Sequence, residues 1–200
     1  MTRLDWTIIG LGSASALGLS LWLGRFGIET RLHAANRRGI VEADPAGLAR
    51  AAGVPLDLYA LASAMQSEER TDKGRLAVGC AIWNAVRGNR DKITKKLLPH
   101  GRFASQDSNQ YAATDKPPTA RTLGLAAAII GGRVPDMVRG AVQWDAPLAQ
   151  DTRHQLYLKD PKKHPRYKHS SAEIAQRRTE AGAHEVRVPG VPETRFWSYT

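Results

Sequence analysis

The chain has 200 residues, enough for one domain of ordinary size with an added tail or anchor. Its hydrophobic content of 42% allows a real core, and its single cysteine, Cys80, excludes an internal disulfide and any zinc site built from several cysteines. The formal net charge of +10 favours an anionic partner, such as nucleic acid, phospholipid head groups or an anionic cell-wall polymer, without choosing among them.

An uncharged apolar stretch occupies residues 6–24. It is long enough to cross a bilayer as a helix, and Trp6 and Trp22 near its ends are typical of the membrane interface. We therefore expect residues 1–43 to form a transmembrane anchor helix followed by a basic linker. A cleaved signal peptide and a helix buried within an assembly are the alternatives. Arginines follow the stretch and only Arg3 clearly precedes it, so the positive-inside rule would keep the rest of the chain in the cytoplasm.

Residues 44–200 carry helical patterns, and we expect them to form a second, mainly α domain. Asp44 as N-cap, Pro45 in the first turn and Gly53 as the stop delimit a first helix. In the next helix, which begins near Pro55, apolar residues follow the i, i+3, i+4, i+7 spacing and so share one face. These residues are Leu58, Leu61, Ala62 and Met65.

The segment 74–86 is apolar nearly all round, which predicts a central buried helix. The pattern of residues 87–118 predicts a long loop region, and loops of that length in compact domains are often functional. Further helical patterns follow, and the last residues look extended. The helical patterns cover 119–132, 145–158 with Asp145 as a possible cap, and 170–182 with a capping box of Ser170 and Glu173.

Two adjacent glutamates, Glu68 and Glu69, fall between two apolar helical segments. One interpretation is a solvated helix end, because two exposed acids there oppose the helix dipole by only ~0.3–1 kcal/mol each. The other is a general acid, since a carboxyl group held between apolar helices keeps its proton to higher pH. Glycoside cleavage needs such an acid to protonate the leaving oxygen. Spacing alone does not say which glutamate would serve.

The stretch SEERTDKGRLAVGCAIWNAV resembles the SleB-like cell-wall hydrolases. Glu68 fits the family's catalytic glutamate, residues 74–78 fit its glycine-led run, and residues 84–86 fit the end of its helix. Later segments, LGLAAAIIGGRVPDMVRGAVQWDAP and VPETRFWSY, look like the family's later helix and closing strand, so the resemblance covers residues 55–200. The departures are a turn after the glutamate about two residues shorter than usual, Ala85 in place of an arginine, and Arg195 where a histidine is common.

This resemblance implies a lysozyme-like α fold that cleaves the glycan strands of peptidoglycan, as a lytic transglycosylase or a muramidase, with Glu68 as general acid and base. A lytic transglycosylase uses the sugar's own hydroxyl as nucleophile, so it requires no second catalytic carboxylate. If a second carboxylate acts, Asp107, Asp115 or Asp145 could supply it. No cofactor and no metal are expected, since the histidines of the basic stretch 159–169 match no firm metal motif.

Sugar-binding grooves combine flat apolar surfaces with a few placed polar groups. The candidates fall in the segment 101–114 and at Trp144, which we expect either in the groove wall or in the core. Two aromatic residues of the segment could stack on sugar faces, and three polar residues could bind hydroxyl or N-acetyl groups. The aromatic residues are Phe103 and Tyr111, and the polar residues are Ser105, Gln106 and Gln110.

Two other classes of function stay open. The first is a structural or interaction protein of a phage virion or membrane complex on a lysozyme-like scaffold. The enzyme itself is expected to be membrane-anchored or virion-associated, and a virion location would ease the conflict between a domain kept in the cytoplasm and a substrate in the cell wall. The second is nucleic-acid binding, which rests on charge alone and lacks a helix-turn-helix, zinc or RNA-binding signature, so nucleic acid is not expected as a partner. The expected partners are peptidoglycan, a lipid bilayer through residues 6–24, and virion or membrane-complex subunits.

Overall fold

A computed structural model of the chain describes residues 44–104 and 111–199. These residues form seven α-helices, one 3-10 helix and three short strands. The elements in chain order are α1 Pro45–Ala52, α2 Leu56–Glu68, α3 Asp72–Ala85, α4 Asp91–Leu97, α5 Ala120–Ile130, β1 Gln143–Asp145, α6 Pro147–Lys159, the 3-10 helix Pro165–Tyr167, α7 Ser171–Glu180, β2 His184–Val186 and β3 Arg195–Ser198.

Local capping signals set the ends of two helices as the sequence predicts. The Asp44 carboxylate accepts hydrogen bonds from the backbone N–H groups of Ala46 and Gly47 at 3.0 and 2.8 Å, and Gly53 ends α1 with a φ of 70°. Ser170 and Glu173 form the predicted capping box at the start of α7. Both predictions are confirmed because each depends on residues only a few positions apart.

The core forms where α2, α3, α4 and α5 pack together. The predicted helix is present as α2, but it is not buried along one face: every residue from 59 to 65 is fully buried, including Leu61, Ala62 and Met65, whereas Leu58 is half-buried. In α3, the predicted central helix, Gly79 allows a close approach, since a Cβ there would lie 2.5 Å from Ile129 Cδ1 and 2.9 Å from Met65 Sδ. The absent side chain therefore lets α2, α3 and α5 meet.

The three strands form one antiparallel sheet in the order β1–β3–β2. The central strand β3 places Phe196 opposite Trp144 on one side and opposite Val186 on the other. Phe196 and Trp197 are buried, so the C-terminal strand closes the core as well as the sheet. The extended C-terminal segment was expected, and the sheet places β1 beside the helical core.

Two element predictions were wrong. Residues 87–118 contain a helix, α4, whose Ile93 and Leu97 are buried in the core. Asp145 does not cap α6, because Ala146 holds that position and Asp145 lies at the end of β1. Both errors involve tertiary contacts that a local pattern does not contain.

The predicted fold class also needs a correction. The mainly helical character holds, with 53% of the described residues in helices, but a membrane-spanning helix is not part of the observed architecture. Among residues 44–104 and 111–199, no helix combines the length and apolar character needed to cross a membrane. Residues 6–24, on which that prediction rested, lie outside the described residues, and the division between residues 1–43 and 44–200 stays a prediction.

Candidate active site

Glu68 and Glu69 have different surroundings although they are adjacent. Glu68 is the last residue of α2, and Glu69 follows as its C-cap in an extended conformation with φ −135° and ψ 145°. The chain therefore leaves the helix between them, and the two carboxylates bind different segments.

The Glu68 carboxylate lies where α2, the segment after residue 110 and β1 meet. Its Oε1 accepts a hydrogen bond from the Ala113 backbone N–H at 2.6 Å, and its Oε2 accepts one from Trp144 Nε1 at 3.2 Å. Burial raises the pKa of Glu68, the two hydrogen bonds partly oppose that rise, and the charges of Glu69 and Asp115 add to it. Glu68 thus keeps its proton to higher pH than a free glutamate, which is what a general acid requires.

Three further bonds fix the segment that carries the Ala113 N–H. The Lys116 backbone N–H donates to Ser67 Oγ at 2.9 Å, next to Glu68 on α2. The Ala104 N–H donates to Thr114 Oγ1 at 2.8 Å, and the Thr114 N–H donates to the Ala104 carbonyl at 2.7 Å. The residues that follow Ala113 are thus bonded to α2 and to residue 104. These bonds hold the Ala113 N–H, which donates to Glu68, in place.

An aromatic pair stands beside the carboxylate. The rings of Tyr111 and Trp144 meet edge to face, with centroids 5.2 Å apart and an interplanar angle of 85°. The Tyr111 hydroxyl donates to the Val142 carbonyl, and burial raises its pKa, so the hydroxyl stays neutral. These two residues, with Gln143 and Arg178, line a cavity of about 190 Å³.

Glu69 has a structural role. Its carboxylate accepts a hydrogen bond from the Thr194 hydroxyl, and its backbone carbonyl accepts one from Arg75 Nε at 3.1 Å. Its side chain also lies against Gly74, where a Cβ would collide with the carboxylate. Glu69 therefore joins the α2–α3 turn to the segment before β3, and Glu68 is the better candidate acid.

The other predicted binding residues divide into three groups. Tyr111 and Trp144 are brought together beside Glu68. Phe103 is not, because it is only 7% exposed and its ring packs 6.1 Å from that of Tyr59 in the core, so its prediction as a sugar-stacking residue needs correction. The remaining candidates, Ser105, Gln106 and Gln110, lie outside the described residues.

The structure separates the candidates for a second carboxylate. Asp145 is held by Arg178 Nη1 at 2.7 Å, Arg195 Nε at 2.8 Å and Trp197 Nε1 at 3.1 Å, which makes it the centre of an ion-pair network. Asp115 follows Ala113 closely, its charge acts on Glu68, and its buried Oδ1 has no hydrogen-bond partner among the described residues. The third candidate, Asp107, lies outside those residues.

Sequence reasoning missed three contributors to this site. The Ala113 N–H is a backbone donor, which leaves no signal in the residue type. Arg178 and Gln143 sit in segments that gave no sign of facing Glu68 or its neighbours. Within the described ranges, no group of three or more His, Cys, Asp or Glu residues is placed to hold a metal ion.

Comparisons with known proteins add no relative: a scan against family models, a search of curated proteins and a search of solved structures each found no match to this chain. The resemblance to SleB-like hydrolases therefore rests on the quoted sequence segments alone and stays a prediction.

Proposed function

We propose that this protein cleaves the glycan strands of peptidoglycan, with Glu68 as the general acid. One observation carries the proposal: a half-buried carboxyl group, with its pKa raised by burial, is held by two N–H donors, one of them from Trp144, which lines a cavity together with Tyr111. An acid with this environment and an adjacent aromatic surface suit glycoside chemistry. The sequence resemblance, in which Glu68 fits the catalytic glutamate, points to the same reaction.

The Glu68 proton passes to the glycosidic oxygen as the bond to the anomeric carbon breaks. The carboxylate left behind is stabilised by the Ala113 N–H at 2.6 Å and the Trp144 N–H at 3.2 Å, both of which favour its charged form. The same carboxylate then takes a proton from the attacking hydroxyl. Glu68 is thereby returned to its starting state.

Two nucleophiles give two different products. Attack by a hydroxyl of the same sugar yields an anhydro end and needs Glu68 alone. Attack by water yields a reducing end and commonly uses a second carboxylate. Asp145 is committed to Arg178 and Arg195, so Asp115 is the described candidate for that second role.

The test incubates full-length protein with purified peptidoglycan and identifies released fragments by mass spectrometry. Glu68→Gln should lower the release rate by about 100-fold or more, because general acid catalysis typically contributes ~10²–10⁴-fold. Glu69→Gln is the matched control, since its amide oxygen can still accept from Thr194, and it should retain activity. Anhydro ends would identify a lytic transglycosylase, and reducing ends would identify a hydrolase.

Two results would contradict the proposal. Equal release by wild type and Glu68→Gln would remove Glu68 from the reaction. No release by wild type would favour the alternative, a structural or interaction protein of a virion or larger complex.

A further inference from the structure

The cavity beside the Tyr111–Trp144 pair is small, and Trp144 links it to the candidate acid. Its volume is about 190 Å³, whereas pockets for whole small ligands typically measure ~300–1,000 Å³. Trp144 belongs to its wall and also donates its indole N–H to Glu68 Oε2 at 3.2 Å. A group bound there would therefore be a substituent of a ligand whose main body passes Glu68.

The cavity wall offers hydrogen-bond donors. Arg178 uses Nη1 to donate to Asp145 Oδ2 at 2.7 Å, and a guanidinium group has five N–H bonds in all. Gln143 accepts from the Tyr199 hydroxyl through Oε1 at 3.1 Å, so the other half of its amide, the NH₂ group, is a donor. This chemistry suits an acceptor group on the ligand.

Arg178, the charged residue of this wall, shares its carboxylate partner with a second arginine. A single carboxylate, that of Asp145, serves two guanidinium groups, with Arg178 at 2.7 Å and Arg195 at 2.8 Å. The carboxylate of Asp151 accepts hydrogen bonds from the N–H and hydroxyl of Ser171, each at 2.7 Å, and its charge also acts on Arg195. The Arg178 side chain is only 21% exposed, so its charge is weakly screened by water and favours an anionic acceptor.

We propose that this cavity binds a carboxylate carried by the glycan strand, with Arg178 as the charged donor and Gln143 as a second donor, and that it gives the protein a preference for acidic over neutral glycans. The proposal rests on the proposed function, because the strand is the one cut at Glu68. Peptidoglycan offers two sources of this group: the lactyl carboxylate of the muramic sugar, free once the peptide is removed, and the carboxylates of the peptide stem.

The test measures binding to full-length Glu68→Gln protein, in which the candidate acid is removed. The probes are chitotetraose, which is neutral, glycan strands stripped of peptide by an amidase, and strands that keep their stems. Adding Arg178→Gln should weaken binding of the acidic probe by about 10-fold or more and leave chitotetraose binding unchanged. Arg178→Lys should recover part of the loss, because it restores the charge without the planar donor pair.

Two variants make the test specific. Arg177→Gln removes an exposed arginine next to Arg178 on α7 and should change no affinity. Gln143→Leu removes the second donor and leaves the Asp145 ion pairs intact, so it tests the cavity even where Arg178→Gln fails to fold. We expect Gln143→Leu to weaken the same acidic probe. Loss with stripped strands identifies the lactyl carboxylate, and loss with stem-bearing strands alone identifies the stem.

The proposal is overturned if Arg178→Gln and Gln143→Leu leave acidic binding unchanged, or if they weaken neutral and acidic probes equally. Failure of the proposed function has a different signature. In that case wild type releases no fragments, while binding still depends on Arg178. Cleavage without any dependence on Arg178 or Gln143 would reject the cavity proposal alone.

Discussion

Removal of the Trp144 donor tests directly how the protein holds the Glu68 proton. In Trp144→Phe an aromatic ring remains to pack against Tyr111, but the indole N–H that donates to Glu68 Oε2 at 3.2 Å is lost. That bond favours the carboxylate over the acid, so its removal should raise the pKa of Glu68 further. The direction follows from the donor alone and does not depend on any enzymatic activity.

The magnitude follows from the geometry. Hydrogen bonds to charged groups contribute ~1.5–3 kcal/mol, and the 3.2 Å distance is longer than the ~2.7–2.9 Å of strong charge-assisted bonds. Glu68 is half-buried, so solvent reduces the effect further, and we take about 1 kcal/mol. The loss of this stabilisation of the carboxylate is what should raise the pKa of Glu68 in Trp144→Phe.

The assay is an NMR titration of ¹³C-labelled glutamate carboxyl groups, with the Glu68 signal assigned by its absence in Glu68→Gln. Trp83→Phe is the control, because Trp83 is a half-buried tryptophan on α3 that makes no hydrogen bond to Glu68. A Glu68 titration that stays in place or moves to lower pH in Trp144→Phe would refute the reasoning. If Glu68 is the acid of the reaction, the high-pH limb of the rate profile should also move to higher pH.

The remaining predictions concern stability. Gly79→Ala should destabilise by ~1–3 kcal/mol in urea unfolding, since its Cβ would press on Ile129 and Met65. By contrast, Gly124 lies on the exposed face of α5 with nothing within 4 Å of an added Cβ, so Gly124→Ala should raise the free energy of unfolding by ~0.5–1 kcal/mol. Equal changes in the two variants would contradict the packing argument. Asp145→Asn should lower the free energy of unfolding by about 3 kcal/mol in the same measurement, because Arg178 and Arg195 lose a shared counter-charge. A change near zero would mean that water already screens those ion pairs. The pKa of Glu68 is raised in the folded state, so its contribution to stability is present below the unfolded-state pKa and is lost as pH rises through the folded-state pKa. The Tm of Glu68→Gln should therefore rise relative to that of wild type as pH increases above the unfolded-state pKa of about 4. A Tm difference that stays constant with pH would contradict this.

Predictions from sequence succeeded where the cause lies within a few residues. The caps at Asp44 and Gly53 are properties of neighbouring positions, and the structure confirms them, whereas burial of α2 on all sides comes from the helices packed around it. The position of Glu68 at the end of an apolar helix is local too. The difference in environment between Glu68 and Glu69 is not local, because it comes from Ala113, 45 positions away, and Trp144, 76 positions away.

The errors have the same physical origin. Asp145 carries the local signature of a helix cap, yet two arginines and a tryptophan that lie 33, 50 and 52 positions later take up its carboxylate. Phe103 looked like an exposed aromatic in a polar loop, but it packs on Tyr59 from α2. Helix α4 has only seven residues, and burial of Ile93 and Leu97 by the core is what supports so short a helix.

The site makes chemical sense as a balance between two opposed requirements on one carboxyl group. To protonate a leaving oxygen, Glu68 must hold its proton to higher pH than a free glutamate, and burial between α2 and β1 raises its pKa in that direction. Once the proton has left, the same burial raises the free energy of the charged carboxylate, and the hydrogen bonds from Ala113 and Trp144 offset that increase. Glu69 lacks this combination, since its carboxylate is committed to Thr194. The difference between two neighbouring glutamates thus comes from the segments that fold against them, which is why the tests centre on Trp144 and on the matched pair Glu68 and Glu69.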